Sequence, residues 1–118
     1  MINYNGRRFR KAIADPGHDA PVALYRQEND LVWAEFTGGE VRRGALAGTC
    51  APDGTIDFAY SMVLADGAVI SGRSISTPEL LPDGRIQLNE RWERYGQHAE
   101  QGTSSIVEVV DEREGNKQ

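Results

Sequence analysis

The regular spacing of turn-forming clusters is the feature that most constrains how this chain can fold. Asp-Gly and Pro-Asp-Gly supply the preset and positive φ angles that tight turns require. Short segments carrying β-branched and aromatic residues lie between the clusters, a pattern that predicts successive β-hairpins. The clusters are Glu28-Asn29-Asp30, Gly38-Gly39, Pro52-Asp53-Gly54, Asp66-Gly67 and Pro82-Asp83-Gly84.

Alternation of side chains places β-strands between these turns. The even-numbered residues from Ile56 to Leu64 share one face of a strand over 55–64, and residues 85–95 alternate in the same way. A period of two is typical of a half-buried strand. Residues 77–81 are predicted to be a single helical turn or a loop, because Pro82 stops any longer helix. The other predicted strands are Tyr4–Ala12, Val22–Gln27, Leu31–Thr37, Glu40–Cys50, Ala68–Ser76 and Ile106–Val110.

About eight strands joined in sequence by short loops predict an all-β, antiparallel up-and-down meander. Closure into a small barrel removes both sheet edges, and Gly44, Gly48 and Gly72 inside strands permit the sharp bends. An open, strongly bent sheet and a two-sheet sandwich are the alternatives. We expect residues 1–110 to form this single domain and residues 111–118 to form a charged, disordered tail.

Composition excludes several classes of function. The net charge of −5 over 118 residues disfavours a nucleic-acid partner. No apolar run reaches the ~20 residues of a membrane span, and the first residues show no signal peptide, so we expect a cytoplasmic protein of bacterial type. Cys50, His18 and His98 share no ligand spacing, which predicts no metal site. No phosphate loop or dinucleotide fingerprint occurs, so no cofactor is expected.

A polar residue on an apolar strand face marks the candidate site. Glu90 alternates onto the same face as Trp92, and a buried carboxylate there needs a partner. Arg73 could supply it, since Val69 and Ile75 share its parity, and the Tyr60 hydroxyl is also expected to point inward. Together with Trp33, these residues would line a cavity for a small polar or aromatic ligand. Two alternatives remain open: a filled barrel in which Glu90 and Arg73 close a polar network, and a catalytic carboxylate.

The chain also resembles a family of small bacterial proteins labelled N-acetylglutamate synthase. The resemblance covers most of the chain up to about residue 110 and implies acetyl transfer from acetyl-CoA, with no catalytic residue assigned. It rests on residues 1–9, 38–40, 53–57, 76–86 and 90–92, which include Met1-Ile2-Asn3-Tyr4-Asn5-Gly6-Arg7-Arg8-Phe9, Ser76-Thr77-Pro78-Glu79 and Glu90-Arg91-Trp92.

Three hypotheses of function follow. The first is a small-molecule-binding barrel, similar in plan to lipocalin-like or avidin-like proteins. The second is an enzyme, with N-acetylglutamate synthase as its specific form. The third is a structural or interaction module, with a homodimer joined through sheet faces or an edge strand, which the outward side chain of Val107 or Val109 would serve.

Overall fold

Eight antiparallel strands close into a barrel in the computed structural model, which describes residues 2–12 and 20–110. The predicted all-β meander and its closure are therefore confirmed. The predicted tail over 111–118 and His18 lie outside the described residues. The strands are β1 Arg8–Lys11, β2 Val22–Glu28, β3 Leu31–Gly38, β4 Val41–Cys50, β5 Ile56–Leu64, β6 Val69–Leu80, β7 Ile86–Arg94 and β8 Glu100–Glu108, with a 3-10 turn over Gly96–His98.

The short strand β1 closes the barrel. Phe9 pairs with Glu108 and Lys11 pairs with Ile106, so the first strand meets the last and no sheet edge remains at this point. Because β1 has only four residues, the first half of β8 pairs with β7 alone within the described part of the chain. The barrel wall is therefore less complete next to Ser104 than elsewhere, and Ser104 is exposed.

The segment before β1 fills one end of the barrel, which we call the closed end. Tyr4 is fully buried there, and its hydroxyl donates a 2.6 Å hydrogen bond to the Gly54 carbonyl in the β4–β5 turn. The rings of Phe9 and Tyr25 pack edge to face beneath it, 5.0 Å apart. Aromatic packing and a satisfied hydroxyl make this end a solid core.

The opposite end, which we call the mouth, is bounded by the β3–β4, β5–β6 and β7–β8 turns. Several inward residues near it keep partial exposure, including Phe36, Tyr60 and Met62, whereas Tyr4, Phe9 and Ile56 near the closed end are buried. Any site inside the barrel therefore lies towards the mouth.

Glycines inside the strands make room for aromatic rings. Each of four aromatic residues lies directly across a strand pair from a glycine, and a Cβ on that glycine would overlap the aromatic side chain. The glycines predicted to bend the sheet thus also accept rings against bare backbone. The pairs are Phe36 with Gly44, Phe58 with Gly48, Tyr60 with Gly72, and Trp92 with Gly102.

Three of the predicted segments differ from the structure. The predicted helical turn at 77–81 is wrong, because β6 continues through Pro78 to Leu80. Proline is tolerated there since β5 pairs no further than Ser76, which leaves a partner only on the β7 side. The first strand is shorter than predicted, Arg8–Lys11, and the last begins earlier, at Glu100, because pairing with β7 extends it.

Candidate functional site

The candidate site is formed on the inner face of β5, β6, β7 and β8. Antiparallel register arranges these side chains in three rows that cross the strands. The deep row, nearest the closed end, is Ile56, Ser76, Glu90 and Ser104; the middle row is Phe58, Ser74, Trp92 and Gly102; the mouth row is Tyr60, Gly72, Arg94 and Glu100.

The deep row holds a carboxylate. Ser76 donates a 2.8 Å hydrogen bond from its hydroxyl to Glu90 Oε2, and Ser104 also hydrogen-bonds this carboxylate. Burial raises the pKa of Glu90, and the two serine bonds oppose that rise. Burial and then the nearby Glu90 charge raise the pKa of Tyr25 on β2. Within residues 2–12 and 20–110, no lysine or arginine forms an ion pair with Glu90.

The middle row provides a flat apolar surface beside a free hydroxyl. A Cβ on Gly102 would lie only 2.7 Å from Trp92 Cζ2, so the indole lies against bare backbone. Phe58 is 5% exposed on the other side of Ser74. Ser74 is itself only 2% exposed, and its Oγ has no hydrogen-bond partner among the described residues. A buried hydroxyl without a partner is unusual in a folded protein.

The mouth row holds a guanidinium. Arg94 Cζ lies 5.3 Å from the Trp92 ring centroid, a cation–π geometry, and Arg94 Nε is buried without a described hydrogen-bond partner. The Tyr60 hydroxyl is 3.4 Å from the Glu93 carbonyl. Burial raises the pKa of Tyr60, and the charge of Arg94 and a side-chain hydrogen bond with Arg94 oppose this rise. Although Glu100 lies across from Arg94, the two form no ion pair in the described structure.

Two of the predicted site residues point away from the interior. Arg73 makes a two-bond ion pair with Asp57 on the outer surface, at 2.9 and 2.7 Å, so the expected pairing of Arg73 with Glu90 is wrong. The parity inferred from Val69 is reversed, because Val69 itself is exposed. Trp33 is 38% exposed on the outside of β3. The other predicted residues all belong to the three rows, and their role in binding stays a prediction.

Sequence reasoning missed three polar residues of the interior. Arg94 continues the alternation of Glu90 and Trp92, so the pattern of β7 already contained it. Ser74 and Ser76 carried no such signal, because both the even and the odd positions of β6 mix apolar and polar residues. Only pairing with β5 and β7 sets which side of β6 faces inward.

Two grooves cross the barrel wall formed by β6, β7 and β8, and each is lined in part by residues of these rows. They measure about 550 Å³ and about 560 Å³ and lie across the outside of β6, β7 and β8. Both include the outward residues Ile75, Arg91 and Thr103. Ser74, Trp92 and Gly102 of the middle row line the first groove, and Glu90 and Ser104 of the deep row line the second.

A family model described as avidin-like protein matches residues 2–109, nearly the whole described barrel. The chain belongs to the avidin-like family. No curated protein matches the chain. Membership of this family is consistent with the observed closed barrel of eight antiparallel strands.

The family match corrects the resemblance drawn from the sequence. The avidin-like model covers the segments on which that resemblance rested, and nothing supports N-acetylglutamate synthase. Several of those segments are turns, such as Pro82-Asp83-Gly84, whose residue types reflect turn geometry rather than a particular family. The expectation of acetyl transfer is therefore wrong.

Metal sites and membrane-spanning helices are two further features that concern function. Within the described residues, no group of three or more histidine, cysteine, aspartate or glutamate side chains is placed to hold a metal ion. The described residues also contain no helix long and apolar enough to cross a membrane.

Proposed function

We propose that this avidin-like barrel binds a small molecule inside its mouth, against the inner face of β5 to β8. The ligand would contact Trp92 and Tyr60 with an apolar part and Glu90 with a hydrogen-bond donor. Arg94 joins these residues in place of Arg73 and Trp33, which face outward. The proposal requires no chemistry at the ligand.

Unsatisfied polar groups on an inner face carry this proposal. Ser74 Oγ and Arg94 Nε are buried, and both lack a hydrogen-bond partner in the described part of the chain. Leaving such groups unpaired is unfavourable, and a ligand that pairs with them recovers the lost interaction. A barrel whose interior served only as a core would gain nothing from placing them beside Trp92 and Glu90.

A metabolite screen by thermal shift tests the proposal. At least one compound should raise the melting temperature of the protein, and calorimetry should give its affinity. Glu90→Gln and Trp92→Ala should each weaken that compound at least ten-fold while the variants stay folded. If no compound in a broad screen shifts the melting temperature, the proposal fails.

The outward residues of the same types are matched controls. Trp33→Ala and Arg73→Gln remove an indole and a guanidinium from the outer surface. Both variants should bind the selected compound with unchanged affinity. Equal losses in Trp33→Ala and Trp92→Ala would place binding outside the barrel and contradict the proposed site.

A homodimer and a location in the bacterial cytoplasm stay predictions. Val107, one of the two residues that motivated the homodimer, is half-buried between Arg10 and Gln87 on the outer surface. Sedimentation equilibrium at increasing protein concentration tests the dimer. A constant monomer mass would reject it and leave ligand binding unaffected.

A further inference from the structure

We infer that the ligand is a small zwitterion, with a cationic nitrogen head against Glu90 and a carboxylate against Arg94. This inference rests on the proposed function and adds the chemical class of the ligand. Opposite charges at two depths of one inner face, each without a charged partner, carry it.

The carboxylate of Glu90 in the deep row favours a cationic group on the ligand. Glu90 is held by neutral donors, Ser76 and Ser104, and the buried Tyr25 packs nearby from β2. Neutral hydrogen bonds only partly offset the cost of taking a carboxylate out of water, whereas a cation in contact offsets more of it. Lys11 on β1 is exposed and forms no ion pair within the described structure. An ammonium, amidinium or guanidinium head fits this position.

The middle row accepts the body of the ligand. Trp92 lies between Glu90 and Arg94 in the alternation of β7, so its indole is on the inner face between the two charged residues. An apolar ring or short chain can pack on the indole without hydrogen-bond partners of its own. The unpartnered Ser74 hydroxyl, directly across from Trp92, can accept a further hydrogen bond from the head group.

The guanidinium of Arg94 in the mouth row favours an anionic group on the ligand. The Arg94 guanidinium has its Nε free of described partners and forms no ion pair, even with Glu100 across the strand pair. Arginine presents a planar set of donors that matches a carboxylate in two parallel bonds. Four residues of strand separate Glu90 from Arg94, or about 13 Å between Cα atoms at ~3.3 Å per residue. A compound of one ring with a charge at each end suits that span.

Four probes on one ring test the class of ligand by calorimetry with the intact protein. The zwitterion is 4-amidinobenzoate. Benzamidine lacks its carboxylate, benzoate lacks its amidine, and 4-carbamoylbenzoate replaces the cationic head by a neutral amide. The zwitterion should bind at least ten-fold more tightly than each of the other three. Equal or tighter binding of benzoate or 4-carbamoylbenzoate would overturn the inference, and so would failure of all four to bind.

Charge-removing variants assign each end of the probe. Glu90→Gln should weaken 4-amidinobenzoate and benzamidine at least ten-fold and leave benzoate unchanged. Arg94→Gln should weaken 4-amidinobenzoate and benzoate and leave benzamidine unchanged. Arg73→Gln is the matched control on the outer surface. Uniform losses across all probes in variants that melt as the native protein does would overturn the assignment.

The metabolite screen separates failure of this inference from failure of the proposed function. If the screen yields a ligand that is neutral or carries one charge, and Trp92→Ala weakens it, binding in the mouth stands and the zwitterion is rejected. If the screen yields none, the proposed function itself fails.

Discussion

At the scale of single residues, the interior is defined by how its polar groups are paired. Two serines on one face of β6 contrast sharply: Ser76 is 0% exposed and donates to Glu90, whereas Ser74 is 2% exposed and has no partner in the described structure. A hydroxyl that supports a carboxylate stabilises the fold, and a hydroxyl without a partner does not. Ser76 therefore contributes to the stability of the fold, whereas the Ser74 hydroxyl can pair with a ligand.

We expect Ser76→Ala to lower the free energy of unfolding by about 1–3 kcal/mol, because it leaves Glu90 with one donor fewer. Ser74→Ala is the matched control on the same strand and face. It removes a hydroxyl that has no described partner, so it should be neutral or slightly stabilising. Urea unfolding of both variants without ligand measures the difference. Equal destabilisation would show that Ser74 has a structural partner.

Glu90 should make stability depend on pH. Burial raises the pKa of Glu90, so the folded state binds the proton more tightly than the unfolded state. Stability then falls as pH rises from the ordinary carboxyl pKa through the raised one, and the loss persists at neutral pH. Glu90→Gln should therefore unfold at a higher urea concentration than the native protein at pH 7, with the difference vanishing near about pH 4.

Urea midpoints measured across this pH range check the effect. Glu93→Gln is the control, since Glu93 is exposed on the outer face of the same strand. A lower midpoint for Glu90→Gln at pH 7 would mean that the ionised carboxylate stabilises the fold.

At the scale of strands, cross-strand pairs of an aromatic residue and a glycine organise the inner face. Gly48 shows the constraint most sharply, because a Cβ there would overlap the Asp57 carbonyl oxygen and lie 2.5 Å from Phe58 Cα. Those are backbone atoms of the paired strand and cannot swing aside. Along the rest of β4, successive side chains point mostly in turn to the core and to the surface.

Gly48→Ala should destabilise the barrel by at least about 1–3 kcal/mol, the usual cost of overpacking, because β4 and β5 would have to separate. Ala47→Ser is the control, since Ala47 is exposed on the outer face of the same strand. Thermal unfolding followed by circular dichroism measures both variants. A native melting temperature for Gly48→Ala would show that the strand pair adjusts more easily than this geometry implies.

At the scale of the whole molecule, the barrel has one solid end and one end that retains exposure. The closed end is filled by Tyr4 and the rings beneath it, and the Arg7–Glu108 ion pair at 2.9 Å ties the segment around β1 to the end of β8. The mouth keeps its polar and aromatic side chains partly exposed. This difference between the two ends separates residues that stabilise the barrel from residues that can contact a ligand.

Tyr4→Ala should lower the free energy of unfolding by about 3–5 kcal/mol, as expected for removal of a fully buried aromatic ring. Tyr4→Phe keeps the ring and removes only the 2.6 Å bond to the Gly54 carbonyl, so about 1–3 kcal/mol should be lost. Urea unfolding separates the two contributions. If the affinity of the ligand found by the screen is unchanged in Tyr4→Phe, the closed end is structural, whereas a large loss would place the site there.

How far the sequence predicts this protein depends on the feature considered. Turn clusters such as Asp66-Gly67 and the alternation over 55–64 are local, so they predicted the hairpins and the inward placement of Tyr60. The same alternation in β7 predicted that Glu90 and Trp92 share the inner face and extends to Arg94. The family assignment drawn from similar turn segments was wrong, because turns reflect backbone geometry rather than a particular barrel.

By itself, the sequence determined the spacing of turns, the strand periodicity and the all-β meander, because each depends on conformational preferences of neighbouring residues. Closure of the meander into a barrel depends on the pairing of β1 with β8, which are distant in sequence. Only the tertiary structure decided which side of β6 faces inward. Both parities of that strand carry an apolar residue, Ile70 on one and Ile75 on the other, so local hydrophobicity does not choose between them. Pairing with β5 and β7 does, and it turns Arg73 outward and brings Ser74 beside Trp92.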